Sequence, residues 1–225
     1  MKIGEIVTED FDQYEPYNIA GPVPANAPPE IWPVDKYEKL ASLIESHCSQ
    51  MLNAYRQAGS VLYRGIRNTD DPAIITNIRQ DRKPVEMPPD AHKRLEKAYT
   101  LLGLKANRTN SIFCTSDSDT ATDWGKLYVI FVKDGWSGTV FESVVDEYVY
   151  DRIYGKATDP RYQNDIPGLA AQIKKLDPAE ITPNNLVDVL QEGYKDLMIT
   201  GTSYIALKWG SPPLKHVLEI LGLNI

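Results

Sequence analysis

Three well-separated segments of the chain carry side chains that could do chemistry. Arg64 lies inside the apolar stretch 62–66, where a guanidinium group must find an anionic partner because burying it alone is costly. Residues 114–116 supply a thiol and two hydroxyls directly after an apolar pair. Asp196 stands just before the apolar run 197–199. A guanidinium, hydroxyls and a carboxylate are groups that could line a nucleotide site.

Each segment also has a simpler interpretation. Arg64 could form a structural ion pair with an acid of its own domain. Residues 114–116 could form a helix cap or a hydroxyl-stabilised turn, and Asp196 could be a strand-entry residue. Gly65, directly after Arg64, would let a ligand approach the backbone closely. Taken singly, each segment favours the structural explanation, so only their combination supports a site.

Several kinds of chemistry are not indicated. The chain contains no glycine-rich dinucleotide fingerprint, no phosphate-binding P-loop and no serine nucleophile elbow. The three histidines, His47, His92 and His216, share no zinc-ligand spacing. Residues 117–123 resemble the start of a calcium loop, but Ala121 replaces a ligand and a threonine replaces the turn glycine. We therefore expect no metal site.

Composition narrows the class of protein further. The 225 residues are 42% hydrophobic, enough for a sizeable core, and carry a formal net charge of −7. That balance argues against nucleic acid as a partner, and we interpret the basic stretch 77–83 as a solvated loop. No apolar run is long enough to span a membrane and no secretory signal precedes the domain, so a cytoplasmic location is expected. The two cysteines, Cys48 and Cys114, suit a reducing compartment.

The first half of the chain is interpreted as an arm followed by a domain. Residues 1–34 are rich in proline and are expected to form an extended arm, and residues 35–225 are expected to form a single domain. One helix runs over 35–59, with Cys48 on its apolar stripe, and a short strand follows at 60–66. A long polar connection covers 68–89, after which a helix capped by Asp90 ends at Gly103.

The second half is dominated by strands. Residues 126–132 read as a strand buried on both faces, and 139–141 as extended. A short helix at 184–194 precedes two strands, 196–201 and 203–209, that we interpret as a hairpin, and a last helix closes the chain. Helices followed by strands, without regular alternation, predict the α+β class.

The three segments, taken in order, resemble the arginine–serine–glutamate class of ADP-ribosyltransferases. The matching residues are "LYRG" at 62–65, "SIFCTSDSDTATDWGKLYVI" at 111–130 and "YKDLMITGTSYIAL" at 194–207. The middle segment is most similar to small proteins of tailed bacteriophages that carry this fold. The resemblance spans roughly residues 60–208, and only the ordered triple is specific.

The resemblance implies a split pair of antiparallel sheets that hold NAD, the substrate, in the cleft between them. Arg64 would pair with an NAD phosphate, and Thr115 and Ser116 would position the nicotinamide ribose and the catalytic acid. Asp196 would be that acid, stabilising the positive charge that builds as nicotinamide leaves. The loop 177–193 would meet the target. The catalytic set would be Arg64, Ser116 and Asp196, and the NAD-binding set Tyr63, Arg64, Gly65, Cys114, Thr115 and Ser116.

The chain departs from the family pattern at three positions. Cys114 stands where the first serine is expected, Asp196 where the family has glutamate, and Tyr194 where the arginine-modifying class has another Glu or Gln. Glu192 could replace the acid only if its strand begins earlier. A displacement of about 1 Å can cost roughly 10²-fold in rate, so the shorter acid would slow transfer.

These departures leave two functions open besides a coincidental match of motifs. The first is NAD-dependent transfer of ADP-ribose to a macromolecule of a bacterial host, most simply a protein. The second is a non-catalytic bacteriophage virion or assembly protein on the same fold, which would use its arm to grip a neighbouring subunit. The sequence does not decide between them.

Overall fold

The computed structural model describes residues 34–67, 69–82, 87–142 and 149–225. The expected arm over residues 1–34 lies outside this part of the chain except for its last residue. The fold is α+β with two antiparallel sheets, as the sequence predicts.

The described residues contain eight α-helices and eight strands. The helices are α1 (Val34–His47), α2 (Ser49–Ala58), α3 (Pro89–Leu101), α4 (Ser118–Trp124), α5 (Val149–Thr158), α6 (Ile166–Lys174), α7 (Leu186–Glu192) and α8 (Pro212–Leu221), with a 3₁₀ turn at Pro160–Tyr162. The strands are β1 (Tyr63–Ile66), β2 (Ala73–Asn77), β3 (Ile112–Cys114), β4 (Lys126–Val132), β5 (Ser137–Phe141), β6 (Pro178–Ile181), β7 (Leu197–Thr200) and β8 (Ser203–Lys208).

Each sheet contains four strands. The first sheet has the order β1-β4-β8-β2 and the second β3-β7-β5-β6, with every neighbouring pair antiparallel. An isolated antiparallel bridge joins the two sheets between Tyr63 and Thr115. The Tyr63 N–H donates to the Thr115 carbonyl at 2.7 Å, and the Thr115 N–H donates back at 2.9 Å. The edge of the first sheet that carries Arg64 therefore meets the end of β3.

Two hydrophobic clusters hold the elements together. The larger draws side chains from both sheets and from α1, α2, α7 and α8. The smaller lies on the other face of the second sheet, where Phe141 and Met198 pack with residues of α3, α5 and α6. Strand β4 is central to the larger cluster, since its residues 128–132 are fully buried, which confirms the expected strand at 126–132.

The single helix expected over 35–59 is wrong, because the chain breaks at Cys48. Cys48 has φ −124° and ψ 27°, and the next helix begins at Ser49. The Asp134 carboxylate, from the β4–β5 turn, accepts hydrogen bonds from the backbone N–H groups of Ser49 and Gln50 at 3.2 and 2.9 Å. A distant acid thus caps α2, which helical periodicity cannot reveal. Cys48 is fully buried in the larger cluster, as expected.

Two other expectations about local structure are also wrong. The polar connection 68–89 contains β2, an edge strand whose pairing with β8 outweighs its weak local pattern. Asp90 lies in the first turn of α3 without capping it; Pro88 holds the cap position.

The expected hairpin at 196–209 does not form. Strand β7 pairs with β3 and β5 in the second sheet, whereas β8 pairs with β4 and β2 in the first. The short link at residues 201–202 therefore carries the chain from one sheet to the other. Sequence spacing alone favours a hairpin here because two-residue links usually join paired strands.

Candidate functional site

Arg64 lies on β1 with its guanidinium directed at the second sheet. Its backbone pairs with Tyr128 of β4, and its Nη1 donates to the backbone carbonyl of Phe113 at 2.8 Å. The side chain is half-buried, and its Nε is buried without a hydrogen-bond partner. Within the described parts of the chain Arg64 forms no ion pair, so the simpler interpretation of a structural salt bridge does not hold.

The hydroxyl segment is held against the segment that leads to Asp196. The Tyr194 carbonyl accepts hydrogen bonds from Thr115 Oγ1, Ser116 Oγ and the Ser116 N–H, each at 3.2 Å. The Asp117 N–H donates to Thr115 Oγ1 at 3.0 Å. The Thr115 hydroxyl, in a fully buried side chain, is therefore occupied by backbone groups, while Ser116 is only half-buried.

The strand register brings Asp196 next to these hydroxyls. Cys114 pairs with Leu197, and the same antiparallel register carried one residue further sets Thr115 opposite Asp196. Because side chains alternate along a strand, Asp196 lies on the same face of the second sheet as Met198 and its partner Phe113. The Asp196 side chain is 9% exposed.

Arg64 and Asp196 both act on the pKa of the Cys114 thiol. Burial raises the pKa of that thiol to about 12; the Arg64 guanidinium opposes the rise and the Asp196 carboxylate adds to it. Both charges therefore lie near the end of β3 that carries Cys114. The structure thus brings Arg64, Thr115, Ser116 and Asp196 to one junction between the sheets.

Three of the residues implied by the resemblance are occupied by other contacts. Cys114 points to the opposite face of β3 from Phe113 and is fully buried in the larger cluster. Tyr63 packs against that cluster and stacks edge-on with Trp209, with ring centroids 5.7 Å apart. A Cβ on Gly65 would collide with the Ala121 carbonyl of α4. The close approach that this glycine permits is made by α4, which packs on β1.

Sequence reasoning missed two residues at this junction, Arg82 and Arg108. Their guanidinium carbons lie 5.0 Å and 4.7 Å from the centre of the Phe113 ring, within the range of cation–π contact. Together with Arg64 on the Phe113 carbonyl, three guanidinium groups meet at one aromatic residue. Tyr204 also acts on the pKa of Arg82, in the upward direction. The strand registers put Tyr204 on the same face of the first sheet as Arg64.

The interpretation of 77–83 as a solvated loop is wrong for Arg82. The backbone N–H of Arg82 donates to the Thr109 carbonyl at 2.9 Å, and its side-chain Nη1 donates to the Ser111 carbonyl at 2.6 Å. Burial, followed by the nearby Arg64 and Arg108, lowers the pKa of Arg82 to about 10. The basic composition of the stretch was a usable signal, but only the tertiary fold shows that it crosses from β2 to β3.

The stretch that resembles a calcium loop has a structural role. Asp117 caps α4, its carboxylate accepting from the Asp119 N–H at 3.1 Å and from Thr120 Oγ1 at 2.7 Å. These bonds hold the pKa of Asp117 below its usual range. In the portion of the chain that the structure describes, no group of three or more His, Cys, Asp or Glu side chains could hold a metal ion.

The arrangement fits a phosphate-bearing ligand better than a metal. The half-buried guanidinium groups of Arg64 and Arg82, next to a hydroxyl and a carboxylate, are of the kind that recognise phosphates and ribose hydroxyls. No described helix has both the length and the apolar character that crossing a membrane requires. The chain matches no protein-family model, no curated protein and no solved structure.

Proposed function

We propose that the protein transfers ADP-ribose from NAD to a macromolecule, most simply a protein, of a bacterial host cell. The observation that carries this proposal is the meeting of Arg64, Ser116 and Asp196 where β1, β3 and β7 converge. These residues come from segments about 50 and 80 positions apart, and a shared junction is what a composite site requires.

Arg64 is suited to the role of phosphate ligand. Only one of the five guanidinium donors is used by the Phe113 carbonyl, so a fork remains for a phosphate oxygen pair. The neighbouring Arg82 and Arg108 add positive charge beside the Phe113 ring. This field would hold the diphosphate part of NAD at the mouth of the junction.

Asp196 and Ser116 are suited to the reacting end. Bound NAD supplies a positively charged nicotinamide that leaves its ribose carbon when the glycosidic bond breaks. The Asp196 carboxylate would accept a hydrogen bond from a ribose hydroxyl and stabilise the charge developing on that carbon. Ser116, fixed by two bonds to Tyr194, would keep the ribose and the acid in register. A nucleophile of the target then forms a bond to the ribose carbon and releases its proton to solvent.

Labelled NAD and a bacterial lysate test the proposal directly. Transfer of label by the wild-type chain should fall by about 10²-fold or more in Arg64→Ala and Asp196→Ala, because each removes a group that acts in the transition state. The control is Arg67→Ala, which removes a charge from the exposed residue next to β1, whose Nε donates to the Trp124 carbonyl at 2.9 Å. Equal labelling by all four chains contradicts the proposal.

A second candidate is a binding or assembly protein that retains the fold without catalysis. The buried Asp196 and the occupied Thr115 hydroxyl favour it, because both limit access to a reacting ribose. Asp196→Glu separates the candidates. If the site is an enzyme slowed by its shorter acid, the longer side chain increases labelling; a non-catalytic protein stays inactive in both forms.

A further inference from the structure

An exposed aromatic surface lies at one end of the first sheet. Trp209, directly after β8, is 41% exposed, and its ring packs edge-on against the half-buried Tyr63 of β1, with centroids 5.7 Å apart. The backbone N–H of Trp209 donates to the carbonyl of the half-buried Leu127 at 2.8 Å. We call Tyr63, Leu127 and Trp209 the aromatic patch. Single exposed apolar residues are common on protein surfaces, so the patch supports a binding site only if something of matching chemistry can reach it.

The aromatic patch lies on the helical side of the first sheet. Tyr63 pairs with Val129 of β4, and side chains two residues apart along a strand share a face, so Phe131 lies on the same face. The Phe131 ring packs edge-on against Tyr55 of α2, with centroids 5.5 Å apart. The patch therefore borders the helices that cover this face, and Arg64 lies on the opposite face of β1.

The chain enters the described fold within this helical layer. Val34 begins α1, and Tyr37, one turn later, stacks on His216 of α8 with ring centroids 5.0 Å apart. Helix α8 begins at Pro212, three positions after Trp209. About one helical turn of each helix, roughly 5 Å, and a three-residue link therefore separate the start of α1 from the aromatic patch.

The segment just before α1 has the chemistry that an aromatic surface binds. Residues 22–33 read PVPANAPPEIWP, with proline at five of the twelve positions. Proline fixes φ and removes the N–H donor, so such a segment favours the polyproline II helix, which binds aromatic-lined surfaces with little loss of conformational entropy. In that form twelve residues span roughly 37 Å, enough to cross from Val34 to Trp209.

We propose that residues 22–33 dock as a polyproline II segment on the aromatic patch of their own chain. Proline rings pack against Trp209 and Tyr63, whose indole N–H and phenol O–H donate to carbonyls of the segment. Within the described residues neither of these two groups makes a hydrogen bond. The short tether favours docking within one chain over capture of a second copy. An arm held in this way covers its own domain instead of gripping a neighbouring subunit, and the proposal does not depend on ADP-ribose transfer.

Proteolysis of the full chain by a glutamate-specific protease tests the docking, because Glu30 lies inside the docked segment. Trp209→Ala removes the exposed ring. Cleavage after Glu30, identified by mass spectrometry, should become about tenfold faster in this variant, since its rate follows the population of undocked segment. The matched control is Leu101→Ala, at an apolar residue of α3 that is 59% exposed. It should change the rate by less than about twofold, because it lies outside the aromatic patch.

Substitutions in the segment test the same contact without altering the domain, and they decide the matter if Trp209→Ala does not fold. Pro22→Ala combined with Pro24→Ala leaves the residues beside Glu30 unchanged. This variant should be cleaved about threefold faster or more, and the NMR signal of the Trp209 indole N–H should shift. Pro16→Ala, outside the segment, should do neither.

Two results would overturn the proposal. The first is a wild-type chain that is cleaved after Glu30 as fast as the Trp209 and proline variants, with an unchanged Trp209 indole signal. The second is protection that disappears on dilution together with a dimer in sedimentation, which would mean that the segment docks on a second copy. Protection that is independent of concentration and lost in both kinds of variant supports docking within one chain.

Discussion

Phe113 and Cys114 are adjacent on β3, yet their side chains lie in opposite surroundings. Phe113 faces Arg82 and Arg108 and lies on the Asp196 side of the second sheet, whereas Cys114 is fully buried among apolar side chains of the larger cluster. The period of two along a strand produces this separation. The same three-residue strand therefore contributes to a candidate binding site with one face and to stability with the other.

The comparison makes a simple distinction between two kinds of substitution. Changes on the Phe113 face should alter binding or transfer and leave the fold largely intact. Changes on the Cys114 face should lower the free energy of unfolding and leave activity per folded molecule unchanged.

Asp196→Asn should reduce nicotinamide release from NAD by about 10²- to 10³-fold, because a neutral amide cannot stabilise the developing positive charge. Its Tm should stay within a few degrees of the wild type, since the amide has nearly the same shape. The measurement is chromatographic detection of nicotinamide, beside thermal unfolding. Wild-type turnover in this variant would remove Asp196 from the catalytic role.

Leu197→Ala should destabilise the protein by about 2 to 5 kcal/mol, because it empties volume in a fully buried position on the Cys114 face. Urea unfolding measures this effect. Nicotinamide release per folded molecule should remain within a few-fold of the wild type. A large loss of activity at full folding would mean that the two faces of β3 are not separable.

Alkaline pH should destabilise the protein through the Cys114 face. Burial raises the pKa of Cys114 from 9.0 to about 12 and also raises that of Tyr55 above its ordinary value. In this range the unfolded chain loses protons that the folded protein keeps, so stability falls as the pH rises. The window begins near pH 9 and extends to about 12. Urea unfolding at pH 8, 9, 10 and 11 tests this; a constant midpoint contradicts it.

Cys114→Ser gives the smallest expected effect and the sharpest test of orientation. The resemblance places a serine here, but the side chain faces the apolar cluster. The substitution should therefore cost about 1 to 3 kcal/mol through burial of a hydroxyl and should not raise nicotinamide release. An increase in release would show that residue 114 reaches the reacting end of the site.

Local pattern predicted the fold well where burial is uniform. The run 126–132 is β4, the extended residues 139–141 belong to β5, and the helices at 184–194 and near the C-terminus are present. It failed where tertiary contacts decide. Asp134 caps α2 from a distant turn, and β7 and β8 belong to different sheets although only two residues separate them.

The candidate site divides in the same way. The segments around Arg64, 114–116 and Asp196 do meet. The sequence suggested this only through the resemblance, because the spacing of the segments does not imply it. The side-chain directions at Cys114 and Gly65 depend on pairing register and on the packing of α4, so the sequence could not supply them. The sequence did not single out Arg82 from its basic stretch, because its contact with the Ser111 carbonyl depends on where that stretch crosses the molecule.

The most direct test of the account is a double-mutant cycle on nicotinamide release from NAD, using Arg64→Ala, Asp196→Ala and the double variant. Groups that act on one bound molecule are not independent, so the double variant should lose about as much activity as the more damaging single variant. Losses that multiply, or a wild-type chain that releases no nicotinamide, would contradict a single NAD site between β1, β3 and β7.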